Sequence, residues 1–488
     1  MIKDSVSFRR AAAGAGRSAA VLALAAALTV PAGPLGLAGP AQAAPVVKNT
    51  DVNGDGYNDL AVGVPTFPGY LGTQHTGLAG VLYGGPGGFT GHQTFRPKPG
   101  CATGTISGAP RPCTGWGLGL AASDVDADGR TDLVFAGSHD VEARSWTPAG
   151  ITTIERRIGG TRLSGGLIVG QADDQAGVDL LGVRGSGWSV GIGGWYNRTA
   201  EYAINQIPGS TVAFRSQDHG DVDGDGKLET ALLGSRFSSA TGERGYLWLI
   251  EDPQRSPLTV TELGSPATCT PPTLTATACP QLDSEVAVGD VNGDGRPDVV
   301  MATPGTGALQ VWYGSASGLS ARPNFSATGL SWLHPATEHS RNLAVGDVNG
   351  DGAAEIAVGN PHAAVSGQDK AGTVALIPGS PTGPVISGVR IISQDGIASP
   401  GAPAPAADPI GEQSFAGDNF GEAVSILDVT GDGKAEVIIG TPGKYEGRGM
   451  LAVLHGTADV SATIAQVVRG LDVSMGTPGG RFGAHLLR

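Results

Sequence analysis

One nine-residue acidic segment recurs along this chain, and its recurrence constrains the fold more than any other feature. It first runs Asp51-Val52-Asn53-Gly54-Asp55-Gly56-Tyr57-Asn58-Asp59. Further copies begin at Asp124, Asp221, Asp290, Asp347 and Asp428. An eroded copy at Gln171 has amides at positions 1 and 5 and no glycine at position 6. The starts lie 47 to 81 residues apart. Self-similarity at such a spacing means that one supersecondary unit is stacked many times, because no single copy can bury its apolar surface alone.

The surroundings of each clear copy repeat too. A strand-like run precedes it, as Leu343-Ala344-Val345-Gly346 precedes Asp347. An apolar run follows, often ending Gly-x-Pro or Thr-Pro. A third run comes next, such as Gly80-Val81-Leu82-Tyr83-Gly84, and then a more variable fourth. Four antiparallel strands repeated seven times predict an all-β, seven-bladed β-propeller of four-stranded antiparallel blades. The first copy has no strand like the others ahead of it. The chain ends Arg481-Phe482-Gly483-Ala484-His485-Leu486-Leu487-Arg488, and aligning Phe482-Gly483 with Phe420-Gly421 places Arg488 opposite Ile426. The C-terminus is therefore expected to supply the missing first strand of the first blade, which closes the ring and removes an open edge.

Composition agrees. Glycine contributes 80 of 488 residues, with no collagen-like period of three. Apolar residues at 40% and charged residues at 16% do not describe a disordered chain. A net charge of −14, with no basic stripe, argues against a nucleic-acid partner.

Residues 1–43 are expected to be a secretory signal, leaving 44–488 as the propeller. Lys3, Arg9, Arg10 and Arg17 form a basic start. Residues 19–30 are a short apolar run, and Ala41-Gln42-Ala43 is an A-x-A cleavage site. Arg9-Arg10 admits a twin-arginine signal, whereas Ala11-Ala12-Ala13 favours the general secretory route. The apolar run is too short to span a bilayer, so the product is expected to be secreted, extracellular and free of a membrane span. Four cysteines allow three connectivities. Local pairing, Cys101 with Cys113 and Cys269 with Cys279, closes the shortest loops and suits an oxidising compartment.

The Phe-Gly strand, the D-x-[DN]-x-D-G-x-x-[DE] loop and the Gly-x-Pro strand end resemble FG-GAP (VCBS-type) repeats. Such repeats form the seven-bladed propeller at the head of integrin α subunits and occur in secreted bacterial proteins. The Phe-Gly half is intact at Phe420-Gly421 and Phe482-Gly483, reads Trp116-Gly117 in the second unit, and is blurred elsewhere. Neither an integrin partner subunit nor an inserted metal-dependent adhesion domain is visible, so receptor function does not carry over.

Carboxylates at positions 1, 3, 5 and 9 of a tight loop suit calcium, which accepts six to eight oxygens. The candidate ligands are Asp51, Asn53, Asp55, Tyr57 and Asp59; Asp124, Asp126, Asp128, Arg130 and Asp132; Asp221, Asp223, Asp225, Lys227 and Glu229; Asp290, Asn292, Asp294, Arg296 and Asp298; Asp347, Asn349, Asp351, Ala353 and Glu355; and Asp428, Thr430, Asp432, Lys434 and Glu436. Position 7 would serve through its backbone carbonyl. An EF-hand needs Glu at position 12, where this chain has Val62, Phe135, Leu232, Met301, Val358 and Ile439. About six structural calcium sites are expected, the Asp428 loop weaker for its Thr430 and the Gln171 loop empty.

Gly187-Trp188-Ser189-Val190-Gly191 matches a nucleophile elbow but sits among strands rather than on a strand–turn–helix. Trp116, Trp188, Trp195, Trp312 and Trp332 suit either a sugar platform or blade core, with core favoured. The long insertions 97–114, 265–283 and 394–418 precede first strands, so they gather on the face opposite the acidic loops, where a binding surface would be built. The expected function is a non-catalytic binding or adhesion module for a protein, cell-surface or polysaccharide ligand. The alternatives are an extracellular hydrolase acting on phospholipid or polysaccharide, and a lectin-like propeller. Nothing in the sequence sets the oligomeric state, and a monomer is compatible with it.

Overall fold

The computed structural model describes residues 50–487 apart from the segments 68–76, 97–104, 107–108, 111–114, 127, 138–139, 158–162, 171–178, 185–189, 193–199, 203–210, 239–241, 252–258, 264–283, 304–306, 334–341, 399–412 and 457–462. The expected signal, the four cysteines, the Gln171 loop and most of the Gly187–Gly191 motif lie outside the described residues, as do Trp188 and Trp195.

Strand follows strand through the rest, in antiparallel sheets. The second sheet runs Gly119–Ser123, Asp132–Ala136, Asp140–Thr147 and Gly150–Arg157, each strand hydrogen-bonded to the next. The fourth runs Thr211–Gly220, Glu229–Ser238, Gly242–Glu251 and Thr259–Leu263, and the fifth Glu285–Gly289, Asp298–Thr303, Ala308–Trp312 and Phe325–Ala327. The sixth runs Leu343–Gly346, Glu355–Asn360, Thr373–Ile377 and Arg390–Ser393, with an added fifth strand, Gly396–Ala398, drawn from the insertion that begins at 394. The seventh runs Val424–Leu427, Glu436–Thr441, Met450–His455 and Thr463–Arg469. In the place of the third unit stand two ladders, Leu163–Gly170 with Asp179–Arg184 and Val190–Ile192 with Ala200–Tyr202. This is a β-propeller architecture.

The first sheet is assembled from both chain ends. Its order is Gly91–Phe95, Leu78–Tyr83, Leu60–Val64 and then His485–Leu486. Leu486 pairs with Val62, just as Val424 pairs with Ile439 in the seventh sheet. Val62 and Ile439 are both position 12 of their acidic repeats, so the C-terminal strand occupies the register of a first strand.

The core lies between sheets, which explains the continuous apolar strands. Leu60–Val64 and Glu436–Thr441 are buried along their whole lengths, the pattern of strands covered on both faces rather than one. Each large apolar cluster joins neighbouring sheets. Val222, Leu233 and Leu249 of the fourth meet Val286, Val299 and Trp312 of the fifth. Val374 and Leu376 of the sixth meet Phe420, Val437 and Ile439 of the seventh. Val62 and Leu82 of the first share one cluster with Ile438 and Val453 of the seventh and Trp116 and Phe135 of the second. Trp116 and Trp312 are thus core residues, as favoured from the sequence, and Trp332 packs partly buried against the cluster between the fifth and sixth sheets.

Glycine makes the close approach possible. The second-strand glycines Gly63, Gly359 and Gly440 lie directly beneath the carbonyls of Gly117, Gly421 and Gly483, where a Cβ would stand 1.9, 1.9 and 1.8 Å from the oxygen. The Phe-Gly pair of one unit therefore seats on the Gly-x-Pro strand of the unit before it, its aromatic ring driven into the core. Phe420 and Phe482 are both fully buried.

Candidate metal centres

The described acidic loops beginning at Asp124, Asp221, Asp290, Asp347 and Asp428 each join the first strand of their sheet to the second, and the Asp51 loop leads into Leu60–Val64, whose first-strand partner His485–Leu486 comes from the C-terminal segment. Position 9 opens the second strand, or immediately precedes it at Asp59, and position 12 falls inside it, buried at Val62, Phe135, Leu232, Met301, Val358 and Ile439. An apolar core residue at position 12 rules out the EF-hand arrangement, and the flanks are strands.

The loops share one hydrogen-bond scheme. In the first, Asp51 Oδ1 accepts from the Gly54 and Asp55 amides at 2.7 and 3.1 Å, and Oδ2 accepts from Gly56 at 2.8 Å. Asn53 Oδ1 accepts from the Asp55 amide, and Asp55 Oδ1 from the Tyr57 amide. Asp221, Asp290 and Asp347 repeat the position-1 pattern. The turn needs glycine at position 6, where φ is +93° at Gly56 and +84° at Gly433. In the last loop Thr430 turns its hydroxyl to Glu436 at 3.2 Å and to Asp428 at 3.5 Å. A hydroxyl there supplies one neutral oxygen where Asp126 and Asp223 supply a carboxylate.

Position 9 is the buried member. Asp59, Asp132, Asp298 and Glu355 are fully buried, and Glu229 and Glu436 nearly so. One carboxylate oxygen accepts from the position-2 amide in all six loops, at 2.8–3.0 Å. The other oxygen accepts from a glycine that ends the third strand: Gly84 to Asp59 and Gly314 to Asp298, both at 2.9 Å, and Gly379 to Glu355 at 3.3 Å. Gly84 stands in the sequence at the end of the Gly80–Gly84 run, without a sign that it holds the acid. In the last loop His455 Nδ1 lies 3.1 Å from Glu436 Oε1.

Burial, with repulsion from the other loop carboxylates, works against ionisation at position 9. Asp132 is pushed up to about 6, Asp59 and Glu229 to about 7, and Asp298 and Glu355 to about 8. Burial raises Glu436 too, against the opposing hydrogen bond from His455. A divalent cation at the loop centre would remove that penalty, since an opposite charge within a few ångströms favours the ionised form.

The donors fit such an ion. Carboxylate oxygens of Asp124, Asp126 and Asp132 lie within 4.8 Å of one another, as do those of Asp221, Asp223 and Asp225. Asp132 Oδ1 is buried without a hydrogen-bond partner. In the Asp51, Asp290 and Asp347 loops position 3 is Asn, and in the Asp428 loop it is Thr, so the third donor there is a neutral oxygen. All-oxygen sets of this kind suit calcium better than zinc or copper.

A cavity of about 410 Å³ opens beside these loops, between the inner strands. Val288, Val345 and Ile426 form its wall, and His219, Asp221, Asp290, Asp347 and Asp428 line it as well.

Sheets that share their cores pairwise, with an acidic turn leading into the second strand of each of six of them, define a repeat propeller. The FG-GAP repeat family matches residues 47–82, 341–377 and 420–454, and the FG-GAP-like repeat family matches 290–358. The chain carries FG-GAP repeats. Phosphatidylinositol-glycan-specific phospholipase D of Bos taurus is 34% identical over 115 residues, which cover 20% of this chain and 13% of that protein. Solved structures that align include a putative 6-phosphogluconolactonase from Bacteroides uniformis ATCC 8492, with a TM-score of 0.45, 11% identity, and coverage of 84% of this chain and 96% of that one. AofleA from Arthrobotrys oligospora aligns with a TM-score of 0.33 and 11% identity, over 72% of this chain and 86% of that one. At these scores neither structure bears on the assignment.

Proposed function

We propose that this protein is an exported, calcium-stabilised, closed seven-bladed propeller that binds a protein, cell-surface or polysaccharide ligand without catalysis. Calcium holds each first turn and, through it, each blade. The ligand meets the opposite face. The observation that carries the reading is how differently the two faces are built. The acidic loops repeat one rigid scheme. The connections at the other ends of the strands hold the exposed Phe415 and Leu471, at 54% and 58% exposure. They also hold Ser366, Lys370, Asn419, Tyr445, Glu446, Ser474 and Arg481, each with φ between 50° and 62°. Backbone held in that region by non-glycine residues is characteristic of functional surfaces. Lys444 Nζ stands 4.7 Å from the Phe415 ring centroid, and the Arg469 guanidinium 5.7 Å from that of Tyr445. An exposed ring at Phe415 and a half-buried one at Tyr445, each braced by a cation, suit sugar or protein ligands.

The test is binding of the full chain to a panel of cell-wall polysaccharides and surface proteins, with and without a chelator, beside Phe415→Ala and Leu471→Ser variants. Binding lost in both variants while the melt is unchanged is the expected result. Binding that ignores both substitutions refutes the assignment of the face.

Hydrolysis is the second reading, favoured by the likeness to a phospholipase D. It places the chemistry in the central cavity, where His219 is the imidazole among the described lining residues. Turnover on a phospholipid panel, abolished by His219→Ala, would decide for it.

A further inference from the structure

The acidic loops are hydrogen-bonded to one another. The amide of Ala354, next to the position-9 residue Glu355, donates to the carbonyl of Asp290, position 1 of the preceding loop, at 2.7 Å. The amide of Ala435, next to Glu436, donates likewise to Asp347 at 2.8 Å. Between the last sheet and the first a side chain does this work. Asn58, next to Asp59, donates from Nδ2 to the carbonyl of Asp428 at 2.8 Å. Its Oδ1 accepts from the Thr50 amide at 2.8 Å, which fixes the amide's orientation so that the donor end faces Asp428. Further bonds run alongside, from Ser380 N to Val291 O and from Gly85 N to Val429 O. The belt cannot continue by the same bond from the Asp290 loop to the Asp221 loop, because position 8 there is Pro297, which has no N–H.

We infer that metal occupancy is coupled along the four loops that begin at Asp290, Asp347, Asp428 and Asp51, with Asn58 as the junction across the chain ends. The inference rests on the calcium reading of these loops. Each link joins the neighbour of a position-9 acid to the backbone of a position-1 acid. An ion that orders one loop therefore holds the donor or acceptor that the next loop needs in place, and a second ion meets a site already ordered. One net hydrogen bond sets the coupling at about fivefold in affinity.

Hydrogen exchange of the peptide covering 51–59, followed through a calcium titration of the full chain, reads the first loop alone. Asp432→Asn removes a ligand from the last loop. It is expected to raise the calcium midpoint for 51–59 about fivefold in the otherwise native chain, and to leave it unchanged when Asn58→Ala is also present. Asn58→Asp keeps the acceptor for Thr50 but loses the donor, and serves as a second uncoupled background should the alanine variant fold poorly. Asp225→Asn is expected to leave the midpoint of 290–298 unmoved, since Pro297 interrupts the belt. A midpoint for 51–59 indifferent to Asp432→Asn overturns the coupling while calcium binding stands. Exchange at 51–59 that does not respond to calcium in the native chain overturns the calcium reading and the coupling with it.

Discussion

Replacing Gly440 with alanine is expected to cost more stability than any single exposed turn can supply. Gly440 lies in the second strand of the last sheet, with a φ that any residue can adopt, so a change there tests space rather than backbone freedom. A methyl group on it would stand 1.8 Å from the carbonyl oxygen of Gly483, and real Cβ atoms essentially never come within 3.0 Å of such an atom. The obstacle is backbone and cannot rotate away. The C-terminal segment must lift, and it carries Phe482 and Leu486, both fully buried, with Leu487 nearly so and its amide bonded to Ala61 O at 3.0 Å. Each such side chain contributes about 1.5–3 kcal/mol through burial. Re-exposing half of that surface costs about 3 kcal/mol, the upper end of ordinary overpacking. Gly433→Ala is the control, because a methyl there meets nothing within 4 Å but φ is +84°, so only the left-handed penalty of about 1–2 kcal/mol applies. Urea unfolding followed by tryptophan fluorescence, with hydrogen exchange of the C-terminal peptide, measures both. A Gly440→Ala protein within about 0.5 kcal/mol of the native one, or more stable than Gly433→Ala, would refute the close-approach argument.

Three further outcomes are expected. The chelated protein should become less stable as pH rises from about 5.5 to 8: the folded-state values of Asp132, Asp59, Glu229, Asp298 and Glu355 run from about 6 to about 8, above their unfolded values. The folded state binds more protons in that window, so its advantage is lost as they leave, and calcium should stabilise most at the alkaline end. Melts in chelator that improve towards pH 8 would contradict this. Trp312→Ala should cost about 3–5 kcal/mol in urea unfolding, because the ring is fully buried; a sugar platform would lose only sugar binding. Deleting residues 485–488 should leave Leu60–Val64 as an open edge and raise aggregation in light scattering, and an unchanged scattering and melt would refute the role given to His485–Leu486.

The repeat made much of this architecture legible in the sequence. Position 12 separated these loops from EF-hands because Val62 through Ile439 are apolar, and burial explains why they must be. The terminal Phe482-Gly483 foretold its own register, since it copies Phe420-Gly421 residue for residue. Other features were not legible because they depend on distance between repeats rather than order within one. Nothing in the Tyr83-Gly84 or Tyr313-Gly314 strand ends says that the glycine amide holds a position-9 acid. Asn58 differs from Ala354 and Ala435 at the same position, yet its meaning emerges only when the last loop lies beside the first. The added strand Gly396–Ala398 was hidden in a segment whose Pro and Gly content predicts only a long connection.

Calcium titration of chelator-stripped full-length protein, by calorimetry and by melting, addresses the central claim most directly. The account predicts uptake of about six ions per chain and a melting midpoint that climbs steadily with free calcium, as it must for an ion bound only by the folded state. No heat of binding together with a midpoint indifferent to calcium would contradict it.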